Sequence, residues 1–137
     1  MTTIHASAVE IGGRGLLILG PAGSGKSSLS LALMALGARL VADDRVILRV
    51  QGDRLIADCP ESLQGRIEAR GIGILRAEAA GPVPVAQVVD LGQTETERLP
   101  PWRSITLSGL ALPLALGPNG PHLASALMQL MRVGRCD

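Results

Sequence analysis

The chain has 137 residues, 47% of them hydrophobic, and its 13 basic and 12 acidic side chains give a formal net charge of +1. That length suits one hydrophobic core, so we expect residues 1–137 to form a single domain. A charge this close to zero, with one tryptophan and no phenylalanine or tyrosine, argues against a nucleic-acid partner, because such proteins need basic patches and stacking rings.

The cysteines and the N-terminus bear on the compartment. Cys59 and Cys136 are too few and too far apart for a metal site or a disulfide framework, so we expect reduced structural thiols. No basic segment precedes an apolar one near the N-terminus, and no stretch reaches roughly eighteen uninterrupted apolar residues. These features predict a soluble cytoplasmic protein with no membrane partner.

The first elements lead to a glycine-rich loop. Residues 3–11 alternate loosely between apolar and polar side chains and predict a strand, which a tight turn joins to a second strand in "LLILG". From Lys26 to Leu36 the apolar residues recur at three and four positions, which predicts a helix that stops at Gly37. "RLVADD" then reads as a short buried strand ending in two carboxylates.

The middle of the chain predicts a hairpin turning at Gln51-Gly52-Asp53, then a helical turn after Pro60. "PVPVAQVVDLG" predicts another strand, whose start Pro82 and Pro84 should confine to a sheet edge because proline lacks a backbone donor. "TETERLPPWRS" is polar and rich in proline, and predicts a surface loop.

The end of the chain predicts one or two apolar strands in "SITLSGLALPLALG", interrupted at Gly109 and Pro113. A helix should close the chain, beginning near Pro121. Its apolar face would carry Leu123, Leu127, Leu130 and Met131, and that face would suit an interface between subunits.

"GPAGSGKS", between the second strand and the first helix, matches the phosphate-loop pattern G-x-x-x-x-G-K-S. Glycines let backbone N–H groups turn toward phosphates, the lysine reaches the β and γ phosphates, and the serine can ligate Mg²⁺. A chance match in a glycine-rich chain is the alternative, but the flanking strand and helix favour nucleotide binding. The expected contacts are Gly20, Pro21, Ala22, Gly23, Ser24, Gly25, Lys26, Ser27 and Ser28.

Asp43 and Asp44 follow a strand at the edge of the sheet where ligands of open α/β folds bind. Adjacent strand residues point to opposite faces, so at least one carboxylate should face the phosphates. A bend between them could let both converge, one taking a metal and the other a proton. A pair of solvated turn residues is the alternative.

Four further residues stand out. Glu68 and Arg70 should share one face of an extended segment, where they could complete a Mg²⁺ site and stabilise transferring charge, or form a surface ion pair. His5 is expected on the strand paired with the one entering the loop, as a structural histidine by its residue type alone. Trp102 could anchor its loop on the core, which we favour, or contact a partner.

Four motifs in this order, "HASAV", "GPAGSGKS", "RLVADD" and "EARGIGI", resemble the catalytic domain of the HPr kinase/phosphorylase family. The resemblance is dense from residue 4 to about residue 76. It implies an α/β P-loop domain with a mixed sheet, of the phosphoenolpyruvate carboxykinase-like P-loop fold. It further implies an ATP- and Mg²⁺-dependent serine kinase that acts on a small HPr-like phosphocarrier protein of the phosphotransferase system.

The resemblance also implies roles and an assembly. Asp43 would be the base that takes the serine proton, and His5 would lie near it and orient it. Asp44 would hold Mg²⁺ together with Ser27 and Glu68, while Lys26 and Arg70 would act on the phosphates. Members of the family commonly form hexamers, so a homo-oligomer is expected.

One departure from the family concerns direction. In "PLALGPN", Ala115 and Pro118 stand where the family keeps basic residues linked to phosphorolysis. Phosphorolysis brings several negative charges together, so we expect a kinase with weak or absent phosphorylase activity, unless Arg70, Arg103 or Arg132 substitutes. A small-molecule P-loop kinase and a non-catalytic nucleotide-sensing regulator are the alternative functions.

Overall fold

A computed structural model describes all residues from Met1 to Asp137. Two helices, α1 (Lys26–Ala35) and α2 (Leu123–Val133), accompany a short 3₁₀ helix, Glu61–Leu63. The strands are β1 (Thr2–His5), β2 (Ser7–Ile11), β3 (Arg14–Leu19), β4 (Arg39–Ala42), β5 (Arg45–Gln51), β6 (Arg54–Asp58), β7 (Arg66–Ala69), β8 (Gly73–Arg76), β9 (Val83–Thr94), β10 (Arg103–Leu107) and β11 (Leu110–Gly117). No helix has the length and apolarity required to cross a membrane.

The strands form a mixed sheet, which confirms the α/β class. The order is β1-β5-β6-β9-β3-β2-β4, and β9 also pairs with β11, which carries β10 on its other side. The pairs β3–β9 and β9–β11 are parallel and the other pairs are antiparallel. Strands β7 and β8 form a separate hairpin. The long strand β9 therefore lies at the centre and joins every part of the sheet.

Both faces of the central strands are covered. Successive residues of β3 point to opposite faces, so Leu17 joins one buried cluster while Leu16 and Ile18 join the other. The second cluster includes Leu29 of α1 and Leu127 of α2, which places both helices on that face of the sheet. The unbroken apolar run of β3 has this cause, since a strand covered on both faces does not alternate with polar residues.

The helices begin and end close to the predicted positions. Helix α1 runs from Lys26, and Gly37 follows its end with a φ of +112°. Arg132 of α2 donates from Nη2 to the carbonyl oxygen of Leu36, at 3.1 Å, and Arg14 donates to the carbonyl of Met131 in α2. Each helix therefore receives an arginine at its carbonyl end, where cations interact favourably with the helix dipole.

The predicted apolar face of α2 is turned inward. Leu127 and Met131 are buried, and Leu123 and Leu130 are half-buried against the same cluster. The face packs on the core of its own chain, so its apolar character gives no support to an interface between subunits.

Two proline predictions are wrong. Pro84 pairs with Ile56, so the start of β9 is not at a sheet edge. The pairing of β6 with β9 covers only residues 56–57 and 83–84, and so tolerates a residue that donates no hydrogen bond there. Strand β11 runs through Pro113, which pairs with Ser104 on the outermost strand β10, whereas Gly109 does interrupt the chain at the turn.

The N-terminal segment contains two strands rather than one. The chain leaves β1 at Ala6 and enters β2, and β1 pairs with β5 while β2 pairs with β3. His5 therefore lies opposite Arg45 and not on the strand beside the one entering the loop. Loose alternation over residues 3–11 gave no sign of this change of partner.

The prediction that Trp102 anchors its loop on the core is also wrong. Its side chain is 66% exposed, and the guanidinium of Arg135 lies 4.4 Å from the centre of its ring. The cation stabilises the exposed ring by attraction to its π face.

Candidate functional site

The glycine-rich loop connects β3 to α1 and leaves the first backbone N–H groups of the helix without a side-chain acceptor. Gly20, Gly23 and Gly25 have φ values of +151°, +81° and +98°, which favour glycine. Gly25 caps α1 without a side-chain hydrogen bond, so backbone donors at the start of the helix have no side-chain acceptor. Such a helix start attracts anions.

Gly25 is constrained from a second side as well. A Cβ added there would lie 2.9 Å from Nδ2 of Asn119, beyond the end of β11. The segment after β11 therefore packs directly on the loop, a contact that the sequence did not predict.

Lys26 lies back across the loop that precedes it. Its Nζ donates to the carbonyl oxygens of Gly20 and Pro21, at 2.6 and 3.1 Å, and no carboxylate lies within ion-pair distance. Oγ of Ser24 is buried without a hydrogen-bond partner. The loop thus keeps a positive charge and an unsatisfied hydroxyl that a bound anion can engage.

Asp43 is the buried junction between three elements. Its Oδ1 accepts from Oγ of Ser7, at 2.8 Å, and from Oγ of Ser27, at 2.7 Å. Its Oδ2 accepts from the backbone N–H of Glu68, at 3.2 Å. This carboxylate is 7% exposed and connects β2, α1 and β7.

Asp44, in contrast to Asp43, is exposed and lines the cavity. Its φ of +71° is left-handed, which aspartate tolerates better than most residues. The side chain is 66% exposed, with Oδ1 3.6 Å from Nδ1 of His5 and Oδ2 4.0 Å from Nε of Arg45. His5 therefore pairs with Asp44, the neighbour of the aspartate that the resemblance gave it. The cause is the β1–β5 pairing, which sets His5 opposite Arg45.

Glu68 and Arg70 extend the site along β7 and its turn. Both line the same cavity as the glycine-rich loop, and they form no ion pair with each other. The alternative of a surface ion pair is therefore wrong. Ile72, 78% exposed in the turn that follows, also lines the cavity.

The cavity has a volume of about 640 Å³, within the usual range for small-ligand sites. Nine of the residues expected at the site line it: Ala22, Gly23, Gly25, Lys26, Ser27, Ser28, Asp44, Glu68 and Arg70. Gly20, Pro21, Ser24 and Asp43 shape the loop or support it from behind. Sequence reasoning missed Ser7, whose hydroxyl donates to Asp43 and for which the sequence offers no signal.

Cys59 lies behind the site and takes no part in nucleophilic chemistry. Burial, together with the negative charges of Asp58 and Asp43, raises the pKa of its thiol to about 11. The side chain is buried, as expected for a structural thiol, whereas Cys136 is exposed. At neutral pH Cys59 is therefore a neutral thiol.

Comparisons with known proteins agree with this geometry. Residues 1–81 match the family model described as the HPr Serine kinase C-terminal domain. A solved structure titled "Structure of the Hpr(Ser) kinase/phosphatase from Coxiella burnetii" superposes with a TM-score of 0.83 at 32% identity, and covers 96% of this chain and 95% of that one.

Curated relatives named HPr kinase/phosphorylase match part of the chain at higher identity. The protein from Caldanaerobacter subterraneus is 44% identical over 93 residues, or 65% of this chain and 30% of the relative. The protein from Xanthomonas campestris is 49% identical over 74 residues, or 53% of this chain and 23% of the relative. The chain therefore spans less than a third of the length of these relatives, yet by the family model and the superposed structure it belongs to the HPr kinase/phosphorylase family.

Proposed function

We propose that this chain is a Mg²⁺-ATP-dependent kinase domain of the P-loop class that phosphorylates a serine of a small HPr-like phosphocarrier protein. The observation that carries the proposal is the cavity, where the ammonium of Lys26, the open start of α1 and a serine–aspartate pair meet around one space. Phosphoryl transfer needs this combination, since catalysis there is mostly positioning and charge neutralisation.

The residues fit a nucleotide with Mg²⁺. Lys26 would release the loop carbonyls and pair with phosphate oxygens, and backbone N–H groups of the loop would bind the others. Ser27 and Asp43, already 2.7 Å apart, offer the oxygen ligands that Mg²⁺ prefers, and Glu68 lies in the same cavity. The ion would neutralise charge on the transferring phosphate.

This arrangement reverses the roles that the family resemblance gave the two aspartates. Asp43 is fully engaged with donors and adjoins the loop serine, which suits a metal ligand or its support. Asp44 is exposed, lines the cavity and has His5 beside it, which suits the group that meets an incoming hydroxyl. We therefore propose Asp44 as the base and His5 as the residue that orients it.

The proton and bond changes follow from this assignment. Oδ of Asp44 accepts the proton of the acceptor serine while the serine oxygen forms a bond to the γ-phosphorus. The bond from that phosphorus to the β–γ bridging oxygen breaks, and ADP leaves with the electron pair. Arg70, which lines the cavity and has no carboxylate partner, would stabilise charge on the transferring group.

The proposal keeps the expectation of weak phosphorolysis. Of the three cations that could replace the missing basic residues, Arg103 is held by Glu95 in two hydrogen bonds, at 2.9 and 2.8 Å. Arg132 donates to Leu36 at the end of α1. Arg70 alone of the three lies at the cavity, so less positive charge is available there for a phosphoserine together with inorganic phosphate.

The test of function is ATP turnover with and without purified HPr. A protein kinase consumes ATP only when the carrier is present and leaves phosphate on serine. A small-molecule kinase would ignore the carrier, and a non-catalytic sensor would bind ATP without turnover in either case. Carrier-independent turnover, or none at all, contradicts the proposal.

The roles of the aspartates are tested by single-turnover transfer at varied Mg²⁺. Asp43→Asn should raise the Mg²⁺ concentration needed for half-maximal rate, while Asp44→Asn should lower the maximal rate at saturating Mg²⁺. The reverse pattern restores the roles implied by the family resemblance. We also propose a cytoplasmic location and a homo-oligomeric assembly, which by the family resemblance is a hexamer. Sedimentation of the purified chain tests the assembly.

A further inference from the structure

A second cavity lies away from the site and shares none of its lining residues. It has a volume of about 130 Å³ and lies between β9, β11, the Pro100–Arg103 segment and the C-terminal tail. We call it the Trp102 cavity. Its apolar walls are formed by Pro113, Leu114, Leu116 and Leu130.

Two arginines, each with a carboxylate partner, lie at the mouth of the Trp102 cavity. Arg103 is neutralised by two hydrogen bonds to Glu95. Arg135, stacked on Trp102, also donates to the carbonyl of Pro100, and its nearest carboxylate is that of Asp137, 3.9 Å away on an exposed side chain. One guanidinium at the mouth is therefore only weakly compensated.

One polar group lies on the buried side. Gln87 is 8% exposed, and its Nε2 donates to the carbonyl oxygen of Val88 at 3.0 Å. The Gln87 side chain lines the cavity. An apolar cavity with a few convergent polar groups is the usual composition of a small-molecule site.

We propose that the Trp102 cavity binds a small organic carboxylate. The carboxylate would pair with Arg135, and its carbon chain would lie against the prolines and leucines. The volume corresponds to about four water molecules at liquid density, which limits the ligand to a few carbon atoms.

The cavity is connected to the glycine-rich loop through β11. Leu114 and Leu116 line the cavity, and the strand ends at Gly117, where an added Cβ would lie 2.9 Å from Cα of Leu91. Two residues later, Asn119 packs on Gly25. A ligand that shifts β11 would therefore change nucleotide affinity, and this second part rests on the proposed nucleotide site.

Trp102 makes the binding test independent of kinase activity. It is the only tryptophan in a chain without tyrosine or phenylalanine, so intrinsic fluorescence reports on the cavity alone. The full chain is titrated with propionate, butyrate and hexanoate, and with the corresponding amides, which match the shape but lack the charge. A saturable fluorescence change with at least one acid, and none with its amide, is the expected result.

Three variants complete the test. Arg135→Gln should weaken binding of the acid by about tenfold or more, because the substitution removes a charge-assisted hydrogen bond. Ala115→Leu should fill the cavity and abolish binding of the acid. A thermal melt of this variant checks that it is folded. Arg54→Gln, at an exposed arginine on β6 with no ion pair, is the matched control and should titrate like the parent.

The proposal is overturned if none of the acids gives a saturable change, or if Arg135→Gln and Ala115→Leu respond like the parent. The connection to the loop is measured separately, as the Kd of Mg²⁺-ATP with and without a saturating acid. A shift of about threefold or more in Kd supports it, and reciprocity requires ATP to shift the affinity of the acid equally. An unchanged Kd removes the regulatory part alone, and an absence of ATP binding in either condition counts against the proposed function.

Discussion

The two adjacent aspartates should differ sharply in their effect on stability, even without nucleotide. Asp43 accepts three hydrogen bonds while buried, whereas Asp44 is exposed and its nearest basic nitrogens lie 3.6 and 4.0 Å away. Replacing each with asparagine preserves shape and removes charge. The comparison therefore isolates what the buried contacts contribute.

The magnitude follows from the geometry around Asp43. In Asp43→Asn the amide nitrogen must face either the two serine hydroxyls or the N–H of Glu68, so one acceptor position becomes a donor. A hydrogen bond to a charged group contributes about 1.5–3 kcal/mol, and we expect a loss of about 2–3 kcal/mol. Asp44→Asn should stay within about 0.5 kcal/mol, because exposed ion pairs contribute little and asparagine suits a left-handed φ.

The assay is urea unfolding of the parent and both variants, without nucleotide or Mg²⁺, monitored by circular dichroism. The difference in the free energy of unfolding between the variants should be about 2 kcal/mol, with unchanged m values. Equal stabilities for the two variants, or a larger loss for Asp44→Asn, would refute the reasoning that Asp43 is the buried junction.

Three further predictions concern single side chains. A thiol reagent at neutral pH should modify Cys136 rapidly and Cys59 only after unfolding, since Cys59 is buried and its surroundings raise the pKa of its thiol to about 11. Peptide mass spectrometry counts the labelled sites, and equal labelling of the two cysteines contradicts the burial of Cys59. The backbone N–H of Gly13 and the side chain of Arg39 lower the pKa of Glu10. The Glu10 carboxylate therefore makes its full contribution to the free energy of unfolding above the unfolded pKa of about 4.3, and this contribution is lost as the pH falls through the lower pKa of the folded state. Glu10→Gln should therefore destabilise at neutral pH, with a difference from the parent that shrinks in acid melts; a constant difference is the contrary result. Lys26→Ala should leave the free energy of unfolding within about 0.5 kcal/mol yet abolish Mg²⁺-ATP binding by calorimetry, because Lys26 bonds only to loop carbonyls, and an unchanged Kd refutes the phosphate site.

Local signals were sufficient for much of the fold. The apolar run before the glycine-rich loop, the three–four spacing after it and Gly37 define β3 and α1 closely, because each depends on neighbours in sequence. The Gly52-Asp53 turn likewise identifies the β5–β6 hairpin. Errors arose where partners are distant: the pairing of β1 with β5, the position of Pro84 within the sheet, and Trp102 stacked on Arg135.

The site shows the same division. Motif spacing identified the loop, both aspartates, Glu68 and Arg70, and the structure places the loop, Asp44, Glu68 and Arg70 around one cavity with Asp43 behind it. Adjacent residues carry no signal of which one is buried, so the sequence could not assign the aspartates. That difference arises from the left-handed φ of Asp44 and from the Ser7 hydroxyl, both of which depend on the folded sheet.

The proposed transfer of phosphate from ATP to a serine of a phosphocarrier protein can be observed by mass spectrometry of HPr after incubation with the chain and Mg²⁺-ATP. We expect the carrier to gain the mass of one phosphate, located on a single serine, with no gain when Lys26→Ala replaces the parent or when that serine is changed to alanine. A carrier that remains unmodified while the parent chain binds Mg²⁺-ATP, or one modified equally by Lys26→Ala, would contradict the proposed kinase activity.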